Sequence, residues 1–299
     1  MNKAEHFKSG FVAVVGRPNV GKSTMINALI GDKIAIVSDK AQTTRNRIIC
    51  VYTDEEKQIV FMDTPGVHKP KHKLGEFMVD AAIESLKETE AVLFVVAGNE
   101  KRGPGDNFII EQLKRVKVPV FLVVNKIDIL QKEQVLEAIV SYQDAYPFAG
   151  VIPISAKNKE NLSELLNVLG EHLPEGPQYF PEDMITDQPE RLIISDIVRE
   201  KILLSTRDEI PHAIAVDVDE MKTRDDGTTY IRATIYCERD SQKGIIIGNK
   251  GALLRKIGAE ARMDIQKLLA TKVYLDLWVK VKKDWRNKSG MLSELGYKK

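Results

Sequence analysis

The stretch GRPNVGKS, residues 16–23, lies between the β-branched run FVAVV and the helix-forming run STMINALI. It matches G-x-x-x-x-G-K-[ST] in the context that gives the pattern a physical meaning, a strand ending in a tight loop that opens a helix. Gly16 and Gly21 allow the loop Arg17, Pro18, Asn19 and Val20 to wrap a β-phosphate, with backbone amides converging at a helix N-terminus that favours negative charge. Lys22 is placed to neutralise β- and γ-phosphates, and Ser23 to offer its hydroxyl to Mg²⁺.

The rest of the first 173 residues agrees with that loop. FVAVVG (11–16), IICVYT (48–53), QIVFMD (58–63), AVLFVVA (91–97), VPVFLVVN (118–125) and GVIPIS (150–155) predict strands. Most are nearly unbroken apolar runs, as expected of strands covered on both faces. Helical stretches fall between them, so a mostly parallel α/β sheet is expected. IICVYT and QIVFMD, separated only by DEEK, predict an antiparallel hairpin at one edge. LPEGPQYFPEDMITDQPE (173–190) carries four prolines and reads as an interdomain linker. The expected division is a nucleotide domain over 1–173, a linker over 174–190 and a second domain over 191–299. That second domain reads α-β-β-α-α-β, a small α+β unit.

Base and metal are specified further along. NKID (125–128) closes the strand VPVFLVVN, at the carboxyl edge where such sheets bind ligands. Asp128 can accept hydrogen bonds from guanine N1–H and N2–H₂, whereas adenine would leave it unpaired. Asn125 and Lys126 complete the motif. SAK, formed by Ser155, Ala156 and Lys157, is placed to reach guanine O6 through backbone amides. DTPG, formed by Asp63, Thr64, Pro65 and Gly66, closes QIVFMD; Asp63 is expected to hold Mg²⁺ through a water and the Gly66 amide to sense the γ-phosphate. AQTTRNR (41–47) must supply a threonine to Mg²⁺, either Thr44 or, in reserve, Thr43. Where many GTPases carry a water-orienting glutamine this chain has Val67, so hydrolysis is expected to be slow or assisted. Asn19 is an oxygen donor beside the α/β-phosphates, suited to seating a monovalent cation. His68 and His72 read as solvated loop histidines, with a metal site as the other reading.

Charge marks the second domain. From Arg239 onward fifteen basic residues face six acidic ones, a net +9, which leaves −8 for residues 1–238 of a chain whose total is +1. A basic end on an acidic protein points to a polyanion partner. Inside it, KGIIIGNKGALLRKIG (243–258) differs from both dinucleotide-binding and P-loop spacings. What remains is a G-x-x-G loop, Gly248, Asn249, Lys250 and Gly251, joining two helices, with Lys243 and Arg255 as flanking cations. Ile245, Ile246, Ile247 and Leu254 are candidates for packing or for an adjacent groove, with packing favoured for most. Cys50 and Cys237, remote from any ligand spacing, read as buried small hydrophobes. No apolar run approaches the roughly 20 residues of a membrane span, and the N-terminus lacks a signal core.

GRPNVGKS, QTTRNR, DTPGVHKPKH, NKID and SAK, followed by a GNKG domain ending in WVKVK and LGY, resemble the Era family of bacterial ribosome-associated GTPases. The resemblance runs along essentially the whole chain. It implies a P-loop GTPase domain and a type II KH domain whose G-x-x-G loop clamps the backbone of about four unpaired nucleotides. It also implies binding near the 3′ end of 16S rRNA, action in small-subunit maturation, and a cytoplasmic monomer with peripheral membrane association. GTP and GDP with Mg²⁺ are the implied ligands, together with a K⁺-assisted mechanism through Asn19 and the hydrophobic replacement at Val67. Lys22, Thr44, Asn19 and Gly66 are thus the expected catalytic set. Two other readings are weighed against this one: a signalling GTPase whose basic end docks on lipid or protein, and a nucleotide-stabilised RNA binder with negligible turnover.

Overall fold

The computed structural model describes residues 6–32, 34–38, 40, 43–66, 72–206 and 210–297. The chain divides into two compact units. The first comprises Met1–Ala35, Gln42–Lys71 and Gly75–Asp187, and the second Ile36–Ala41, His72–Leu74 and Gln188–Lys299.

Six strands form the first unit's sheet: β1 (Lys8–Val15), β2 (Ile48–Thr53), β3 (Lys57–Asp63), β4 (Ala91–Ala97), β5 (Val120–Asn125) and β6 (Gly150–Pro153). Their order is β2-β3-β1-β4-β5-β6. All pairings are parallel except β2 with β3. The expected edge hairpin is therefore present, with Cys50 opposite Phe61. β3, β4 and β5 are buried along their whole length, the consequence of helices on both faces. These helices are α1 (Lys22–Ile30), α2 (Lys73–Glu84), α3 (Pro104–Leu113), α4 (Lys132–Gln143) and α5 (Leu162–His172). The strand order reverses direction around β1, whose chain continuation lies on one side and β4 on the other. A crevice opens at the carboxyl end of such a switch point, and residues 16–23 stand there.

The second unit is built from α6 (Glu190–Ser205), α7 (Ile210–Ala213), β7 (Ala215–Thr223), β8 (Thr229–Cys237), α8 (Asp240–Ile247), α9 (Ala252–Leu269), β9 (Val273–Val281) and α10 (Ser289–Glu294). β7 and β8 are antiparallel, joined through the Asp226-Gly227 turn, whereas β8 and β9 are parallel. A parallel pair needs a crossover, and α8, the GNKG loop and α9 supply it. Ile257, Ala261 and Ile265 recur every fourth residue along α9 and are fully buried with Ile231, Ala233, Ile235 and Cys237 of β8. Both cysteines are core hydrophobes, and burial raises both thiols, that of Cys50 well above its ordinary range.

The proline-rich segment corrects the expected linker. Residues 174–187 belong to the first unit, because their backbone groups pair with the amino end of β1, ahead of where β4 joins it, and with the edge strand β2. The Ser9 amide donates to Pro174 O (3.1 Å) and the Gly176 amide to Phe7 O (2.9 Å). Farther on, the Val51 amide donates to Ile185 O (2.9 Å), and the Thr186 hydroxyl to Ile49 O (2.6 Å). Gln58, fully buried, fastens the middle: its Oε1 accepts the Tyr179 and Phe180 amides at 2.8 and 3.0 Å, and its Nε2 donates to Phe180 O at 2.9 Å. Proline stiffness favoured an extended chain, but extension beside an open strand edge is what allows docking. Gln58→Leu would leave these part-buried groups without their partner, at up to about 1–3 kcal/mol each. It should destabilise the first unit by about 2–4 kcal/mol and accelerate amide exchange at Tyr179 and Phe180. Hydrogen exchange read by mass spectrometry checks this, with the buried strand β5 reporting the loss of stability of the whole unit.

Candidate functional site

Four loops leave the carboxyl ends of β1, β3, β5 and β6, and one side chain ties three of them together. Asn125, 2% exposed, donates from Nδ2 to Val20 O (2.9 Å) and accepts at Oδ1 from the amides of Lys126 (2.7 Å) and Ala156 (3.0 Å). Gly21 makes room for it. A Cβ there would lie 2.2 Å from Asn125 Nδ2, and the backbone has φ +97°, which an L side chain rarely adopts. Ser155, also buried, donates to Asp128 Oδ1 (2.8 Å) and accepts from the Asn158 amide (3.0 Å). The Asp128 carboxylate is thus oriented while remaining partly exposed. The Ala156 amide, expected to face guanine O6, is used here to dock SAK onto Asn125; Lys157 is exposed beside it.

At the phosphate end Lys22 lies folded across its own loop, donating to Gly16 O (3.2 Å) and Arg17 O (3.1 Å). Burial lowers its ammonium from 10.5 to about 8, partly offset by the Asp63 charge. Asp63 is fully buried, and that burial raises its carboxyl against the pull of Lys22 and the neighbouring hydroxyls. Ser23 donates to Asp63 Oδ2 (2.8 Å), and the Thr44 hydroxyl lies 3.0 Å from Ser23 Oγ and 3.4 Å from the same carboxylate oxygen. Asp63 Oδ1 is buried with no hydrogen-bond partner. Two hydroxyls beside a carboxylate with an unused oxygen form a set of hard donors suited to a small divalent cation. Thr64 donates to Val14 O (2.7 Å), Pro65 is buried, and a Cβ on Gly66 would meet Pro18 at 2.8 Å, so DTPG lies against the P-loop.

The remaining P-loop residues divide by role. Val20 is buried in the core, and Asn19 is exposed with a left-handed backbone (φ 66°). The Arg17 side chain is engaged by acidic residues, 2.7 Å from Glu100 Oε2 and, through Nε, 3.0 Å from the fully buried Asp106. Only its backbone is left for a phosphate. Lys126 approaches the same Glu100 at 3.9 Å. Glu100 and Asp106 carry no motif and had no sequence signal. Val67 and His68, like Ala41 and Gln42 of the threonine loop, lie outside the described residues; His72 is half-buried. Among the described residues no group of three or more His, Cys, Asp and Glu could hold a metal.

In the second unit, α8 ends at Gly248 (φ 71°), where a Cβ would lie 2.8 Å from that of Leu253. Asn249 and Lys250 project outward, both exposed, and Gly251 (φ 78°) opens α9. Arg255 closes the loop from one turn along, donating to Lys250 O (2.8 Å) and Gly251 O (3.4 Å). Beside it is a groove of about 560 Å³ lined by Gly251, Leu254, Arg255, Gly258, Arg262 and Tyr274, among others. Ile246 is buried and Ile247 packs on the core, whereas Ile245 is 52% exposed and Leu254 lines the groove. Lys243 is half-buried on α8. Gly258 and Arg262 were missed, although their spacing of seven and eleven from Gly251 places them on one face of α9.

Residues 11–126 match the family described as 50S ribosome-binding GTPase, and residues 209–286 the KH domain family. A solved structure of Era in complex with MgGDPNP and nucleotides 1506–1542 of 16S ribosomal RNA is 43% identical, covering 98% of this chain and 99% of its own, with a TM-score of 0.94. The chain belongs to the Era family. A point variant of Aquifex aeolicus Era bound to GDP·AlF₄⁻ is equally similar, at 43% identity and TM-score 0.94 over 97% of this chain and 99% of its own. This Era-family chain is accordingly a GTPase: a P-loop domain with a mostly parallel sheet, followed by a KH domain carrying the GNKG loop.

The lowered Lys22 ammonium should make nucleotide binding by this chain pH-dependent. With an empty-site value of about 8, the amine is increasingly neutral above that pH, and binding a polyphosphate must take up a proton. GDP affinity should therefore weaken as pH rises from 8 to 9, approaching about ten-fold per unit. Folding shows the opposite sign without nucleotide: the unfolded chain holds the proton up to 10.5, so this group adds stability as pH rises through that window. Fluorescent-nucleotide displacement and thermal melts across the same pH range check both signs.

Proposed function

We propose that the chain is a GTP-hydrolysing switch that binds 16S rRNA near its 3′ end through its KH domain and acts in maturation of the small ribosomal subunit. The observation that carries the reading is the pairing, in one chain, of the Asn125-tied guanine site with a GNKG loop braced by Arg255. A relative 43% identical along 98% of the chain binds MgGDPNP and that rRNA segment together.

The proposed roles follow from the positions. Asp128, oriented by Ser155, takes guanine N1–H and N2–H₂, while Asn125 holds Lys126 and SAK around the base. The backbone N–H groups of the P-loop, Pro18 excepted, wrap the β-phosphate. Lys22 leaves the carbonyls of Gly16 and Arg17 for the β- and γ-phosphates, where a second anion restores its full charge. Ser23, Thr44 and Asp63 would hold Mg²⁺; what supports Thr44 over Thr43 is its 3.0 Å approach to Ser23. Bound Mg²⁺ supplies charge neutralisation at the β- and γ-oxygens. The Gly66 amide reports the γ-phosphate, and hydrolysis releases both the threonine loop and DTPG. With Val67 in place of a glutamine, turnover is slow and K⁺-stimulated, Asn19 offering an oxygen to that cation. The protein acts as a cytoplasmic monomer, and its +9 end is the part suited to an anionic membrane face. Among the described residues no helix is long and apolar enough to cross a membrane.

Two measurements test the reading. Asp128→Asn replaces an acceptor by an amide donor, which matches the C2 carbonyl of xanthine and mismatches the guanine amino group. GTP affinity should fall at least about 100-fold and XTP affinity rise; unchanged GTP binding removes Asp128 from the base site. Crosslinking followed by RNA sequencing should enrich the 3′ segment of 16S rRNA with the wild-type chain. Asn249→Asp with Lys250→Asp should abolish that enrichment, and equal recovery by both proteins defeats the RNA assignment.

A further inference from the structure

The stretch GNEKRGPGD (98–106) runs from the end of β4 into the first turn of α3 and matches none of the nucleotide motifs, yet both its ends touch them. At one end the Gly98 amide donates to Asn125 O (2.8 Å), and a Cβ on Gly98 would lie 2.8 Å from Leu130 and 3.0 Å from Val124. At the other, a Cβ on Gly105 would lie 2.8 Å from Arg17 Cδ, so the turn closes around that side chain. Asp106 is fully buried; its Oδ2 accepts from the Gly103 amide (2.8 Å), and its Oδ1 faces Arg17 Nε at 3.0 Å. The Tyr142 phenol of α4 is buried there too, pushed up by that burial first and by the Asp106 charge second. A buried carboxylate without its cation is costly, so Asp106 fixes where Arg17 lies. Arg17 in turn donates through Nη2 to Glu100 Oε2 (2.7 Å), and Glu100 Oε1 lies 3.9 Å from Lys126 Nζ.

We propose that Glu100, held by Arg17 and Asp106, positions the Lys126 side chain against the guanine base and so slows nucleotide release. The inference rests on the guanine reading of NKID. A nucleotide with its base at Asp128 and its phosphates in the P-loop spans the distance between those two loops. The Lys126 stem bridges the same two loops, because the carboxylate it approaches also holds Arg17. Its methylenes can therefore cover an apolar face of the base. The origin of that side chain is fixed, since Lys126 has a left-handed backbone (φ 68°) and its amide donates to Asn125 Oδ1 (2.7 Å). Its far end is held by charge. The Lys126 and Glu100 side chains are 31% and 39% exposed, which leaves the pair weak by itself. A seated base excludes water from it, and the attraction strengthens as the surroundings become less polar. Glu100 thus acts mainly on the bound state, the condition for an effect on affinity rather than on folding.

The test follows release of a fluorescent GDP from the full chain in Mg²⁺ by stopped flow. Glu100→Gln keeps an acceptor for Arg17 and removes the charge that faces Lys126; Lys126→Met keeps most of the stem and removes the ammonium. Each should speed release at least about five-fold, and the double variant no more than either alone, the signature of one shared interaction. Lys126→Ala, which removes the stem, should release GDP faster still. Asp106→Asn should speed release with Lys126 in place and have no effect in the Lys126→Met background. If Asp106→Asn does not fold, Glu100→Gln, at a partly exposed carboxylate, decides alone. Effects that multiply in the double variant would mean a general loosening of the unit and overturn the proposal. Wild-type release from Glu100→Gln, or from a folded Asp106→Asn, overturns it as well; the guanine reading stands in these cases provided Lys126→Ala is fast. If Lys126→Ala releases GDP at the wild-type rate, Lys126 leaves the base site and the proposal falls with it.

Discussion

The nucleotide site depends on one buried amide. Asn125 spends its donor on the P-loop carbonyl of Val20 and its acceptor on the amides of Lys126 and Ala156. Three segments far apart in the chain are thereby held to one geometry. A carboxamide carries an uncharged NH₂ donor and a carbonyl acceptor on separate atoms, which a single hydroxyl cannot do. An aspartate there would face the Val20 carbonyl with an anion, and a leucine would leave three buried polar groups unpaired. The absent Cβ of Gly21 is the steric half of the same constraint, so a motif glycine and a motif asparagine 104 positions apart serve a single contact.

The phosphate end relies on the opposite principle, charges kept short of satisfaction. Lys22 and Asp63 are both buried, each with its charged form disfavoured by desolvation, and each lies close enough to lend the other partial compensation. A site in this condition gains from a polyanion and a cation together more than from either alone, because each ligand completes a different half of the pair. The hydroxyls of Ser23 and Thr44 crowd the same carboxylate oxygen, which makes the position of the threonine loop sensitive to what Asp63 holds.

The two glycine loops differ in how their ends are closed. GRPNVGKS is anchored from below by β1 and from the side by Asn125, so its curvature is imposed by the core. GNKG stands clear of its domain: Gly248 packs against Leu253, and Arg255 holds the carbonyls of Lys250 and Gly251 from the next turn of α9. The first suits a compact triphosphate that must be enclosed. The second suits an extended backbone that passes across it.

Period and punctuation in the sequence were enough to determine the alternating strands and helices, the edge hairpin, the α-β-β-α-α-β order of the second domain and the motif residues. Each of these is set by local geometry: apolar runs for strands buried on two faces, fourth-residue spacing for α9, glycines where the backbone turns left-handed. Tertiary structure alone decided where the proline-rich segment goes, because docking along a sheet edge depends on Gln58 being buried beneath it, 121 residues away from Tyr179. It alone brought the Arg17 side chain to Glu100 and Asp106, and set the Ala156 amide against Asn125. It alone aligned Tyr230 with Tyr274 across a parallel pairing. Hydrogen bonds and ring contacts between distant segments leave no period in a sequence, since neither partner's position constrains the other until the core has brought them within reach.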